Sequence, residues 1–198
     1  MEEMGKKVDR RVIKTKRAIC NALLELMSQK DLNEITIKEI ADTADINRKT
    51  FYNYYSGVHQ VIDEIENEMV THLEKNLVEI DLKQVIDNPY QFFHRITASV
   101  TENMDQFSLM LRGYSNSSLI TKTTIAMKEK VQLSLLAKVP VDIDTLDILM
   151  EYTYSGMLAV YRNWFNSDRR KPIEEISEML SLLATAGVNA YLEKKKII

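Results

Sequence analysis

Between Thr36 and Tyr55 (TIKEIADTADINRKTFYNYY) the apolar positions Ile37, Ile40, Ala41 and Ala44 fall three and four apart, which is one face of a short helix. After Asp45 and Ile46, Asn47 is a good N-cap for a second short helix. On that second helix Phe51 and Tyr55 should point inward, leaving Arg48, Lys49, Tyr52 and Asn53 on the other side. Two short helices joined by a tight turn, the second with basic, amide and aromatic side chains outward, predict a helix-turn-helix.

The flanking pattern is helical too. Ile13, Cys20, Leu23, Leu24 and Met27 predict a first helix from Asp9 to about Ser28, with Cys20 and Met27 as core. Thr36 and Glu39 have capping-box spacing at the start of the second helix. Gly57 breaks the third helix, and Val61, Ile62, Ile65, Met69, Leu73 and Leu77 mark the buried stripe of a long fourth one, His59 to about Ile80. Asn88-Pro89 is the next break. Helices are expected over Tyr90 to about Met104 and Leu119 to Ala137, with a short apolar turn or helix at Phe107 to Arg112. The last two run from Asp142 to about Phe165 and from Ile173 to about Lys194, with Pro172 suited to a first helical turn. On the final helix Ala184, Ala186, Gly187 and Ala190 are small enough for a partner helix to approach closely. The expected fold is all-α, about nine helices: a three-helix head over residues 1–60 and a larger helical body over 61–198. The fourth helix crosses between them as a lever.

Composition narrows the class. Charged residues at 28% and apolar at 45% suit a soluble globular protein. One cysteine excludes an intrachain disulfide framework and suits a reducing compartment. Neither a signal-peptide hydrophobic region nor a run of eighteen apolar residues occurs, so a cytoplasmic protein with no membrane partner is expected. The net charge of −3 divides unevenly: residues 1–60 carry 11 basic and 9 acidic residues, and residues 61–198 carry 15 and 20. Lys6, Lys7, Arg10, Arg11, Lys14, Lys16 and Arg17 face only Asp9 within residues 6–17. Positive charge at one end of an acidic molecule is what a groove-docking head shows, because phosphate attraction supplies most non-specific affinity.

No enzyme site stands out. Gly-rich phosphate loop, G-x-S-x-G, H-E-x-x-H and C-x-x-C are all missing, and the three histidines (59, 72 and 94) lack metal-ligand spacing. No cofactor and no metal are expected. The reading helix of a helix-turn-helix enters the major groove with its N-terminal residues at the base edges. Arg48 can fork onto guanine O6 and N7, and Lys49 can meet guanine or phosphate. Asn53 can read adenine or hold phosphate, and Tyr52 can meet a thymine methyl or phosphate. Asn47 can touch the backbone while capping.

The stretch resembles the DNA-binding region of TetR/AcrR-type transcriptional regulators, usually written T-x-x-x-I-A-x-x-A-G-V-S-x-x-T-[FL]-Y-x-[HY]-F. Thr36, Ile40, Ala41, Ala44, Ile46, Asn47, Thr50, Phe51, Tyr52, Tyr54 and Tyr55 fit it identically or conservatively. The likeness covers roughly residues 9–69. Asp45 stands where the family has Gly, and Asp tolerates the left-handed conformation better than most residues. Val58 stands where a Lys usually meets phosphate, with His59 beside it. The resemblance implies that Thr36, Lys38, Thr50 and Tyr54 position the head on the DNA backbone. It also implies a homodimer through the last two helices, on a pseudo-palindromic operator in double-stranded DNA. Gly156 with Trp164 resembles the C-terminal domain of a Gram-positive branch of the family.

The function implied is a repressor released from its operator by a small-molecule effector. Phe93, Phe107, Met110, Tyr114, Tyr154, Met157 and Trp164 are the candidate pocket walls. A co-regulator whose body docks another protein is the alternative, and a helical enzyme is a third reading that the missing catalytic constellation weighs against.

Overall fold

With five Gly and three Pro in 198 residues, little in the chain interrupts helix. The computed structural model describes residues 10–78, 89–113, 118–136 and 140–196. Every regular element among them is helical: α1 (Arg10–Met27), a 3₁₀ turn (Leu32–Glu34), α2 (Ile37–Thr43), α3 (Arg48–Tyr52) and α4 (Val58–Val78). Then follow α5 (Pro89–Glu102), α6 (Met104–Gly113), α7 (Leu119–Leu136), α8 (Ile143–Phe165) and α9 (Ile173–Lys194). This is the all-α architecture expected. Among the described residues no helix is long and apolar enough to cross a membrane. The chain divides into two compact units, one ending at Glu66 and the other beginning at Asn67.

In the first unit α2 packs on both α1 and α3. Its core joins Ile19, Cys20, Leu23 and Leu26 of α1 to Ile40, Phe51, Val61, Ile62 and Ile65. The expected face of α1 is partly wrong. Ile13 is 53% exposed, and Leu24 and Met27 are half-buried. Burial on α1 begins only at Ile19, so the first turns have no apolar neighbour to cover Ile13, and Ile19 and Leu26 take the core positions. α3 also ends at Tyr52, before Gly57, whose backbone is not left-handed.

In the second unit α9 packs chiefly on α5, while α6 and α7 pack on α8. The stretch expected as a short turn or helix is a ten-residue helix, α6. α8 starts at an N-cap, Asp142, whose side chain accepts from the Thr145 amide at 2.9 Å. Pro172 occupies the corresponding position before α9, one place earlier than expected. Leu146, Met150, Tyr154, Met157, Tyr161 and Phe165 form the buried stripe of α8. A buried polar chain joins three helices: the Thr97 and Tyr161 hydroxyls lie 2.9 Å apart, and Thr97 donates to Ser177 Oγ at 2.6 Å. Lys128 of α7 pairs with Asp147 at 3.1 Å and with Glu151, both on α8.

Thr97→Val removes the middle of that chain and takes one hydrogen bond each from the buried Tyr161 and Ser177 hydroxyls. It should lower stability by roughly 1–3 kcal/mol. Denaturant unfolding followed by circular dichroism checks this.

Candidate nucleic-acid interface

The turn between α2 and α3 is built from local hydrogen bonds. The Ile46 amide donates to the Ala41 carbonyl at 2.9 Å and the Asp45 amide to the Asp42 carbonyl at 3.2 Å. Together they close α2 as a Schellman motif. Its left-handed residue is Asp45, at φ 54°, the position where glycine would be unstrained. α2 itself opens with the full capping box: Thr36 Oγ1 accepts from the Glu39 amide at 3.3 Å, and the Thr36 amide donates to Glu39 Oε2 at 2.9 Å.

α3 is capped by Asn47, whose Oδ1 accepts from the Thr50 amide at 2.8 Å and lies 3.0 Å from Thr50 Oγ1. Phe51 has no exposure, and its ring meets those of Tyr52 and Tyr55 at 5.8 and 5.7 Å. Tyr55 is buried between helices: its hydroxyl lies 3.8 Å from Cys20 Sγ, and the Lys16 ammonium sits 5.4 Å over its ring. That burial pushes its phenol above the ordinary tyrosine range. With the inner face fixed, Arg48, Lys49, Tyr52 and Asn53 are all exposed, Tyr52 by 58%. Thr36 and Lys38 are exposed at the start of α2, Asn47 is exposed, and Thr50 and Tyr54 are half-buried. The nine candidate DNA-contact residues therefore lie on one short segment, none of them fully buried. Val58 is half-buried at the first position of α4, and His59 beside it is exposed.

Not every basic residue near this segment is available to phosphate. Lys16 pairs with Glu64 at 2.6 Å and Lys30 with Glu39 at 2.6 Å, so both brace the unit internally. Neither pairing was visible in the sequence, where the two partners lie far apart or in different elements. Arg10, Arg11, Lys14 and Arg17 are exposed along α1, while Lys6 and Lys7 lie outside the described residues.

The second unit holds a cavity of about 40 Å³. Phe107, Tyr154 and Met157 line it. Leu73, Ile96, Val100 and Tyr161 also line it, and helical spacing alone could not single them out. Met110 is fully buried but is not among the walls. Trp164 lies elsewhere, on an open groove with Val160, Arg170 and Ile176. Its indole N–H donates to the Lys171 carbonyl at 2.8 Å, and the Arg169 guanidinium lies 5.2 Å from its ring, which holds it toward the α8–α9 loop. Tyr114 and the Phe93 side chain lie outside the described residues. On the outer face of α8 and α9, Ile148, Tyr152, Met179, Leu182 and Leu183 are exposed, Tyr152 by 76% and Leu182 by 70%.

Two family models match the chain. "Bacterial regulatory proteins, tetR family" covers residues 19–65, and "Transcriptional regulator C-terminal region" covers residues 87–186, half of the chain. A curated relative, the "Uncharacterized HTH-type transcriptional regulator YxbF" of Bacillus subtilis (strain 168), is 28% identical over 120 residues. That match takes in 60% of this chain but only 28% of the relative's length. Among solved structures, a TetR transcriptional regulator from Streptococcus agalactiae 2603V is similar with a TM-score of 0.67 at 20% identity, covering 89% of this chain and 96% of that one. The "Dihydroxyacetone kinase operon activator DhaS" is similar with a TM-score of 0.64 at 18% identity, covering 90% and 98%. At these identities the two structures speak for the fold alone.

The capping box carries a pH dependence. The hydrogen bond from Lys30, then those from the Thr36 amide and hydroxyl, hold the Glu39 carboxyl at about 2, below its usual 4.5. A depressed folded value contributes stability that is present above pH 4.5 and lost as pH falls toward 2. In an acid titration followed by NMR, the Glu39 carboxyl should titrate near the bottom of that window, and Lys30→Met should raise its midpoint.

Proposed function

The chain belongs to the TetR family of transcriptional regulators, and from that premise we propose that it is a dimeric repressor released from its operator by a small-molecule effector. It is a DNA-binding regulator and not an enzyme. We assign DNA binding to residues 1–60, and effector sensing and dimerisation to residues 61–198, with the protein acting in the cytoplasm where its operator lies. The observation that carries the reading is the outward set on α3: Arg48, Lys49, Tyr52 and Asn53 are exposed because Phe51 and Tyr55 are not. Arg48 and Lys49 open the helix, where the residues of a recognition helix meet base edges. Thr36, Lys38, Asn47, Thr50 and Tyr54 are given the phosphates.

One head of this size covers little DNA, so useful affinity calls for two. The exposed apolar face of α8 and α9 supports a homodimer through these helices, since an apolar patch of this kind marks an interaction site. Gly187 lies on that exposed side, and a Cβ added there meets no atom within 4 Å. The small residues around it, Ala186 and Ala190, are exposed as well. A twofold pair would set two α3 helices one DNA turn apart, or a multiple of it.

A second reading, a co-regulator whose body docks another protein, is favoured by the contrast between the 40 Å³ cavity and the broad exposed face. The similar DhaS is by its name an operon activator. Stabilisation in a metabolite screen separates the two, since only the effector reading needs it.

In a gel shift with the DNA upstream of its own gene, Arg48→Ala should relax base preference at one position per half-site by about 1–3 kcal/mol. Lys38→Ala should weaken all sequences alike and lower the salt slope by about one. Equal loss of preference in both would overturn this division of roles. Gly187→Arg fits the single chain without a clash, so it should stay folded, sediment as a monomer and bind operator poorly. A full-affinity dimer would move the interface elsewhere.

A further inference from the structure

The first turn of α2 holds a carboxylate at the very edge given to the DNA backbone. Glu39 Oε2 accepts from the Thr36 amide at 2.9 Å and from the Thr36 hydroxyl at 2.8 Å. Glu39 Oε1 accepts from the Lys30 ammonium at 2.6 Å, and the same ammonium donates to the Glu34 carbonyl at 3.2 Å. A threonine hydroxyl has one proton to give. Here it goes to Glu39, and a phosphate oxygen only accepts, so Thr36 reaches phosphate by handing that proton over. The Thr36 amide and Lys30 are then what hold Glu39 in place. The carboxyl, held at about 2, is ionised at neutral pH. Left bare, its charge would repel the phosphates given to Thr36 and Lys38. Lys30 supplies the opposite charge from outside α2, in the segment between α1 and the 3₁₀ turn.

We propose that Lys30 is a positioning residue for DNA binding, a role that rests on the start of α2 facing the DNA backbone. It anchors Glu39 and cancels its charge, so that Thr36 and Lys38 can meet phosphate, and does not itself touch the DNA. Two of the three ammonium protons are already engaged within the unit, whereas Lys38 is exposed. The Lys30–Glu39 pair is partly exposed, so its loss costs the fold little. Backbone contacts carry no sequence information, so the effect of Lys30 is the same on every duplex.

Fluorescence anisotropy on the full chain tests this, with the DNA upstream of its own gene and with a short duplex of unrelated sequence. Lys30→Met should weaken both about fivefold, the weight of a unit charge about 4 Å from another in water, and leave the salt slope unchanged. Glu39→Gln keeps an acceptor for the Thr36 amide without the charge, and should bind no more weakly than the native chain. The double variant should recover native affinity, because no charge is left to cancel. Lys30→Gln takes the place of Lys30→Met if circular dichroism shows the latter unfolded. Native affinity in Lys30→Met, a weaker Glu39→Gln, or unequal losses on the two duplexes would overturn the inference. A double variant as weak as Lys30→Met, or a salt slope lower by about one in Lys30→Met, would overturn it too, the slope by making Lys30 a phosphate ligand in its own right. Lys38→Ala binding both duplexes as tightly as the native chain would instead sink the assignment of α2 to the backbone.

Discussion

The burial of Phe51 is the constraint on which the outward face of α3 depends. α3 is five residues long, far short of the roughly 12–15 residues at which an isolated helix becomes even marginal in water. Its shape must come from contacts made elsewhere. Burying a phenylalanine side chain contributes about 1.5–3 kcal/mol, and Phe51 is covered completely. The Asn47 cap fixes where the helix starts, and Tyr55, buried beyond its end, fixes the exit. At about 3.6 residues per turn, Lys49 and Asn53 then lie nearly opposite Phe51, with Arg48 and Tyr52 on the flanks. The outward face is a consequence of the inward one.

The same economy governs charge. Two lysines of the first unit are tied to carboxylates, Lys16 to Glu64 and Lys30 to Glu39, and Lys16 also covers the Tyr55 ring. These pairs are partly exposed, so their worth lies less in stability than in fixing geometry. Glu39 illustrates this. It caps the start of α2 and takes Lys30 at once, so the helix start bearing Thr36 and Lys38 is held at both ends of one carboxylate. Arg10, Lys14 and Arg17 on α1, Lys38 near the start of α2, and Arg48 and Lys49 at the start of α3 are exposed, and the proposed DNA contact draws on them.

What the sequence made legible follows from how local each signal is. The caps at Thr36 and Asn47, the left-handed Asp45 and the inward Phe51 and Tyr55 are each decided within a few residues, and the chain spells them out. α1 is different. Val12, Ile13, Ile19, Cys20, Leu23, Leu24, Leu26 and Met27 are too many for one stripe, and only the packing of α2 selects Ile19 and Leu26 over Ile13. α8 repeats the problem with two apolar faces: Tyr154 and Met157 turn inward, Ile148 and Tyr152 outward. The pocket was least legible because its walls come from α4 through α8, so no single periodicity contains it. Trp164 left that set for a reason of its own, an indole N–H with a carbonyl to reach in the next loop.

A cavity this small has a consequence for how an effector can act. Ligand sites for drug-sized molecules run to about 300–1,000 Å³, so a body with a 40 Å³ void is closed against them. An effector that fits only after the walls part has almost no affinity for the closed body, and that difference is what drives a switch. A ligand binding both forms equally shifts nothing, and a near-complete shift takes about 5.5 kcal/mol of differential binding. A tightly filled interior supplies such discrimination more readily than a roomy one, because packed side chains yield by discrete rearrangement rather than by gradual swelling. Linkage then runs both ways: whatever factor the effector takes from operator affinity, operator DNA takes from effector affinity. Under the proposed effector reading, the body closed in the absence of ligand is the form that pairs with operator binding, and parting of its packed helices is what an effector would have to favour.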